Sequence, residues 1–297
     1  MYLVLEFKKL SLEHIKTIRP FFMDNHCRIC DCTIGATFMW RDYHNTEFAI
    51  EDGILFLKVT HPELAFAPPR GVDVNIGSYE RIIGYCDGQN SPTEIRSVSR
   101  TVLEGLLEMF PGSQVRTERD WSDYLYLSDD LKSLSGRRFA GQRNHINHFI
   151  REYPGWAFER VAADNIADAR QFIEKNAQEN VKESLIYIEG CRKALEALDN
   201  YELYDQLGGI LYVNGNVVGV SLGEITGDTL YIHTEKADVA YQGSYPMLMN
   251  QFAINFAAED TVYINREEDD GVEGLRASKM SYHPVDLLEK YKVVLKR

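Results

Sequence analysis

The order of elements between residues 207 and 265 constrains this chain more than any other feature. Gly208–Val213 and Val217–Ile225 read as strands, and Asn214-Gly215-Asn216 between them is a strong hairpin signal. Tight hairpin turns need positive φ at their central residues, which Asn and Gly tolerate. Thr226-Gly227-Asp228 then turns the chain into a third strand, Thr229–Ala237. A loop containing Gly243 leads into a helix at about 245–258, followed by a strand at Thr261–Asn265. Three antiparallel strands, a glycine loop, a helix and one more strand form an α+β order without strict βα alternation.

The flanking segments extend this pattern. Ser11 as N-cap, with Leu12, Ile15, Ile18 and Phe22 at helical spacing, predicts a helix over about 11–22. A hairpin follows at 48–59 around Glu51-Asp52-Gly53, then a strand near 64–67. Helices are expected at about 77–86 and 100–110, the second stopped by Pro111-Gly112, with a strand at Glu94–Val98 between them. Strands near 114–118 and 123–127 close the first half. In the second half, helices are expected at 165–178, 181–198 and 272–279, and strands near 281 and 291–295. A chain of 297 residues exceeds the usual single core and predicts two domains. We place them at 1–135 and 136–297, around a connecting segment, 132–151. That segment carries Lys132, Arg137, Arg138, Arg143 and Arg151 with no acid, and should end in a helix.

Charge excludes some functions. With 45 acidic and 32 basic side chains the chain carries −13, opposite to what DNA, non-specific nucleic-acid binding or an anionic membrane requires. No apolar run approaches the roughly 18 residues of a membrane span. Charges also enter the N-terminus too early for a secretory signal, so a cytoplasmic location is expected. Five cysteines without an export signal suit reduced thiols. His26-Cys27-Arg28-Ile29-Cys30-Asp31-Cys32 has zinc-type ligands, but no second Cys/His pair follows at zinc-site spacing, so no metal is expected.

The stretches GRRFAGQRNHINHF, LYVNGNVVGVSLGE, IHTEKAD and INREEDDGVEGLRASKMSYHPVDLLEKY resemble the C-terminal domain of phosphatidylglycerol lysyltransferases, and more closely its stand-alone bacterial relatives. The resemblance covers nearly the whole chain and is densest over 136–291. It implies two tandem GNAT-like domains with mixed, mostly antiparallel sheets flanked by helices, similar to Fem-type aminoacyltransferases. The activity implied is acyl or aminoacyl transfer to an amine or hydroxyl acceptor. The implied donor is acyl-coenzyme A or aminoacyl-tRNA, with no tightly bound cofactor.

In such a site an extended donor lies along a central strand, here Tyr231–Lys236 with Thr234 and Lys236 near its end. A turn at a helix N-terminus then meets the pyrophosphate. That turn is Tyr241-Gln242-Gly243-Ser244-Tyr245, in which Gly243 allows close approach and Ser244 is placed to cap the helix. It departs from the family pattern at Ala240, where Gln or Arg is usual, and at Tyr245, where a smaller residue is usual. Acyl transfer needs a base for the acceptor and an acid for the leaving group. Glu235, with Glu224 as alternative, suits the first role and Tyr282 the second.

Arg143 shares a helical stripe with Phe139, Ile146, Phe149 and Ile150, so its guanidinium should meet a carboxylate or a bound anion. A salt bridge to the other domain satisfies this as well as a ligand does. The acidic stretch 259–273 reads as a solvated loop, or as an attractor for a cationic acceptor. Arg266, Glu267 and Lys279 are assigned to the aminoacyl pocket through the resemblance alone. The competing class is a non-catalytic GNAT-fold module that binds a ligand or protein.

Overall fold

The computed structural model describes residues 5–23, 27–179 and 185–296. His26 and the start of the helix expected from 181 lie outside the described residues. The chain forms an α+β structure with two seven-stranded, mostly antiparallel sheets flanked by helices, as the GNAT resemblance implies. It divides into two compact units. Unit 1 comprises 1–123, 268–271 and 288–297; unit 2 comprises 124–267 and 272–287.

The sheet of unit 1 runs β1 (Lys8–Lys9), β2 (Glu47–Glu51), β3 (Ile54–Val59), β4 (Ala65–Phe66), β5 (Glu94–Val98), β14 (Tyr291–Val294) and β6 (Gln114–Thr117). The β2–β3 hairpin turns on Asp52 and Gly53, both at positive φ. β4 and β5 are parallel and joined through the Ile76–Gly88 helix. Ile82, Ile83 and Cys86 of that helix pack with Phe56, Phe66, Ile95 and Val293 of the sheet. The helix expected at 11–22 is broken into a 3-10 turn and two single turns, Ile15–Ile18 and Pro20–Met23. Proline at 20 lacks the N–H that a continuous helix would use there.

The sheet of unit 2 runs β13 (Asp286–Leu288), β7 (Asp123–Leu127), β12 (Tyr263–Asn265), β11 (Thr229–Ala237), β10 (Asn216–Thr226), β9 (Leu207–Val213) and β8 (Trp156–Arg160). The β9–β10 turn uses Asn214 and Gly215 at positive φ, as the sequence predicts. The Ser244–Phe256 helix connects β11 to β12, which is parallel to it. Met247, Leu248, Phe252 and Ala253 of the helix pack onto Leu211, Val218, Leu230 and Ile264 of the sheet. The strand expected near 281 is instead β13, because 281–283 continues the Glu273–Met280 helix into a turn.

The two sheets have the same plan. Each holds one parallel pair joined by a helix, and beside that pair a strand from a distant part of the chain: β14 next to β5, and β7 next to β12. Residues 124–135, grouped by sequence with the first half, therefore lie in unit 2, and 288–297 lie in unit 1.

Candidate functional site

The parallel β11–β12 pairing covers only Thr229–Tyr231 against Tyr263–Asn265, whereas β11 continues to Ala237. Past Tyr231 its outer edge is not matched by β12, and polar side chains gather there. A β-bulge helps to place them. Leu222 of β10 pairs with Thr234 and Gly223 with Ile232, leaving His233 as the extra residue. Bulges turn a side chain away from the direction of the regular pleat. Gly223 is required opposite this bulge, since a Cβ there would lie 2.1 Å from the Tyr231 carbonyl oxygen.

His233 bridges two carboxylates. Its Nε2 is 2.8 Å from Glu224 Oε1 and its Nδ1 is 2.7 Å from Glu267 Oε1, with the imidazole side chain 2% exposed. Both ring nitrogens must donate to satisfy both acids, so the ring is an imidazolium. Burial opposes this charge, but the hydrogen bonds and charges of Glu224 and Glu267 outweigh it and raise the pKa to about 10. Glu267 reaches His233 from a left-handed backbone (φ 56°), with its N–H donated to Asn265 Oδ1 at 2.7 Å. A non-glycine residue in that region is strained by about 1–3 kcal/mol, so the surrounding contacts must hold it.

A second pair lies alongside. Arg266 donates Nε to Glu235 Oε2 at 2.9 Å and Nη2 to Glu235 Oε1 at 3.2 Å, a two-pronged pairing that fixes the carboxylate plane. The guanidinium lies 4.9 Å from the Tyr282 ring centroid and 5.9 Å from that of Tyr126. Its Nη1 is buried without a hydrogen-bond partner among the described residues. Lys279 donates its ammonium to the carbonyls of Arg266 (2.5 Å) and Glu267 (3.3 Å), bracing the loop that carries both. The Tyr126 hydroxyl donates to the Lys279 carbonyl at 2.9 Å. Three carboxylates (Glu224, Glu235, Glu267) thus stand against three cations (His233, Arg266, Lys279). Tyr282 is buried, and burial pushes its phenol up to about 12, which weakens it as a proton donor.

The far end of β11 opens on a cleft of about 810 Å³, whose walls include Phe172, Tyr187, Asn216, Asp238, Tyr241 and Tyr245. The Lys236 ammonium lies 3.5 Å from the Tyr187 ring centroid. Thr234 is buried, and its carbonyl accepts the Ser221 hydroxyl at 2.8 Å. Tyr245 lines the cleft; burial chiefly, and then the Glu235 charge, raises its pKa. A smaller hollow of about 260 Å³ lies over Gln242, Gly243, Ser244 and Tyr245.

The turn is also shaped by packing. Gly243, at φ 92°, is the N-cap of the Ser244–Phe256 helix. A Cβ there would meet the His145 carbonyl oxygen at 2.6 Å, so the glycine serves packing against the Ala140–Glu152 helix. Ser244 does not cap; its hydroxyl donates to the Asp238 carbonyl at 2.8 Å.

Several expected residues lie elsewhere. Arg143 is paired with no carboxylate among the described residues: its Nη1 donates to the carbonyls of Leu134 and Gly136, closing the end of the Ser128–Ser133 helix. The basic segment is largely neutralised in place, by Lys132–Asp129 (3.0 Å), Arg138–Asp130 (2.5 Å) and Arg151–Glu152 (3.1 Å). The acidic stretch is not one solvated loop. Glu267 pairs with His233, while Glu268 and Asp269 enter unit 1, where they meet Lys290 at 2.8 Å and Arg119 at 3.2 Å.

Lys290 is the centre of a buried group within unit 1. Its ammonium lies 2.7 Å from Asp31, 2.8 Å from both Asp123 and Glu268, and 3.2 Å from Cys30 Sγ. The ligand-type atoms of Cys30, Asp123 and Glu268 fall within 4.8 Å of one another, as in a metal site. The lysine supplies a cation among them. Burial chiefly, then the charges of Glu268 and Asp31, raises the Asp123 pKa to about 7 against the opposing pull of Lys290.

The sequence from 27 to 294 matches the family described as phosphatidylglycerol lysyltransferase, C-terminal. The fold superposes on a conserved protein of unknown function from Bacteroides thetaiotaomicron with a TM-score of 0.92 and 33% identity, over 99% of this chain and 100% of that one. The C-terminal domain of a putative lysylphosphatidylglycerol synthetase from Agrobacterium fabrum shares the fold at a TM-score of 0.69 and 14% identity, over 96% and 92% of the two chains. An uncharacterized protein of Mycoplasmoides gallisepticum is 23% identical over 184 residues, a match spanning 58% of this chain and 56% of that protein.

Proposed function

The chain belongs to the phosphatidylglycerol lysyltransferase C-terminal family, and on that premise we propose that unit 2 is an acyl- or aminoacyltransferase centred on Glu235. The observation that carries this reading is the two-pronged Glu235–Arg266 pair on β11 past its pairing with β12, two residues before Ala237, which lines the open cleft. An extended acyl donor, acyl-coenzyme A or aminoacyl-tRNA, lies along the unpaired edge of β11 past Tyr231, where strand groups are not used by β12. Glu235 orients an acceptor amine or hydroxyl and takes its proton as the acyl carbon is attacked. Arg266 keeps that carboxylate in one plane, and Lys279 holds the Arg266–Glu267 backbone behind it. His233, protonated at neutral pH, acts as a fixed cation between Glu224 and Glu267 and not as the base.

Of the two donors, acyl-coenzyme A is favoured by the internal pairing of three of the five basic residues of the connecting segment, which reduces the positive charge there for RNA. A non-catalytic binding module is the second reading, favoured by the existing ion pairs of Glu235 and Glu224 and by the burial of Tyr282. Thermal melting with acyl-coenzyme A species, and mobility shifts with aminoacyl-tRNA, separate these readings. A saturable rise in Tm or a shifted band identifies the donor. Glu235→Gln should then retain donor binding and lose transfer to an amine. If neither donor binds, the transferase reading fails; if a donor binds and Glu235→Gln transfers normally, the role of Glu235 fails.

A further inference from the structure

The three cysteines of the 27–32 turn face two different environments. Cys30 Sγ points to Lys290 at 3.2 Å, and its N–H donates to Asp123 at 2.6 Å. Cys27 and Cys32 face each other instead, with their sulfurs sharing a hydrogen bond at 2.7 Å. A bonded pair sits at about 2.05 Å, so a displacement of well under an ångström separates this contact from a disulfide. Both are reduced thiols; Cys27 is half-buried and Cys32 buried.

Arg70 supplies an independent indication. Its guanidinium hydrogen-bonds the Cys32 sulfur, lies 4.2 Å from the Phe22 ring centroid and donates Nη2 to the Asp31 carbonyl at 3.5 Å. Its Nε is buried without a hydrogen-bond partner among the described residues. A half-buried guanidinium beside a thiol favours the thiolate, which is the nucleophile in cysteine chemistry. The hydrogen bond shared with Cys27, followed by Arg70, holds the Cys32 thiol below its ordinary value even though burial opposes this. Cys86 and Cys191 have no such setting, and burial pushes both upward.

We propose that Cys27 and Cys32 form a reversible disulfide, a redox modification site on unit 1 that excludes Cys30. With hydrogen peroxide as oxidant, the Cys32 thiolate attacks one peroxide oxygen. The O–O bond breaks, and the departing hydroxide takes a proton to become water, leaving Cys32 as a sulfenic acid. The Cys27 sulfur then attacks the Cys32 sulfur, the S–O bond breaks, and the Cys27 proton leaves with the hydroxyl as a second water. Two thiols lose two electrons and one peroxide becomes two waters. A thiol reductant reverses the step by exchange.

The test treats the intact chain with graded hydrogen peroxide and follows free thiols, intact mass and disulfide-mapped peptides. The expected result is loss of two of the five thiols and of two hydrogen masses, a single Cys27–Cys32 linkage, and full recovery with dithiothreitol. Cys27→Ser should leave Cys32 to accumulate sulfenic and then sulfinic acid without a disulfide. Arg70→Gln should slow the first step by about threefold for each unit by which the Cys32 pKa rises above the assay pH, the loss of thiolate being partly offset by its greater nucleophilicity. A linkage to Cys30, Cys86 or Cys191 overturns the proposal. So does stoichiometric zinc on the purified chain, or retention of all five thiols under peroxide that oxidises free cysteine.

Discussion

Replacing His233 with glutamine removes a buried cation from between two carboxylates, and the cost follows from the site. The folded-state pKa is about 10, whereas an unfolded histidine titrates near 6.5. Folded protein therefore holds one more proton than unfolded protein between those values. The resulting stability is fully present below pH 6.5 and is lost as pH rises toward 10, at about 1.4 kcal/mol per pH unit. Over the whole interval the loss reaches about 5 kcal/mol, close to the about 3–5 kcal/mol typical of breaking a buried ion pair. Urea unfolding of wild type and His233→Gln at several pH values between 6 and 10 measures this. Trp156 in β8 serves as reporter of unit 2 once Trp40 and Trp121 are replaced by phenylalanine. The variant should be weaker by about 3–5 kcal/mol at pH 6, and the gap should close as pH rises. A constant gap across that range, or an imidazole signal titrating near 6.5, would refute the double-carboxylate bridge.

Gly223→Ala drives a methyl into the Tyr231 carbonyl at 2.1 Å; unfolding should show a loss of about 1–3 kcal/mol with the His233 signal displaced. Gly243→Val combines positive φ with a clash against the His145 carbonyl. It should lower Tm in the absence of any donor, and an unchanged melt would show that the turn does not pack on the 140–152 helix. Lys290→Met leaves the carboxylates of Asp31, Asp123 and Glu268 without their central cation and should destabilise the protein by about 3–5 kcal/mol. Adding Asp123→Asn should recover part of that loss in the same denaturation assay.

The second half was legible because its signals are local. Asn214-Gly215 and Thr226-Gly227-Asp228 mark turns by their own backbone chemistry, and the strands between them came out with small end errors. The helix at Ile34–Met39 passed unnoticed because it is buried on nearly every side and has no polar face. β8 was missed too: Trp156–Arg160 is an edge strand with much of its surface exposed. At the site, Glu235, Arg266, Glu267 and Lys279 do come together, along with Tyr282 beneath Arg266. His233 could not be read the same way. A bulge depends on the pairing of two strands, so no pattern within IHTEKAD marks the histidine as the extra residue. Gly223 was the available trace, but a glycine in a strand has several explanations. The carbonyl partners of Arg143 are hidden for a related reason: helical spacing gives a side chain's direction and does not reveal which carbonyls await it.

The exchanged strands also govern when the protein can assemble during synthesis. β6 pairs with β14 alone, and β5 meets β14 on the side away from β4. Until residues 291–294 have been made, the first-formed sheet has β5 as an open edge and β6 without a partner. A nascent chain thus carries unpaired strand edges from its earliest sheet until residues 291–294 emerge, which invites pairing with neighbouring chains. The sheet begun first is the one finished last.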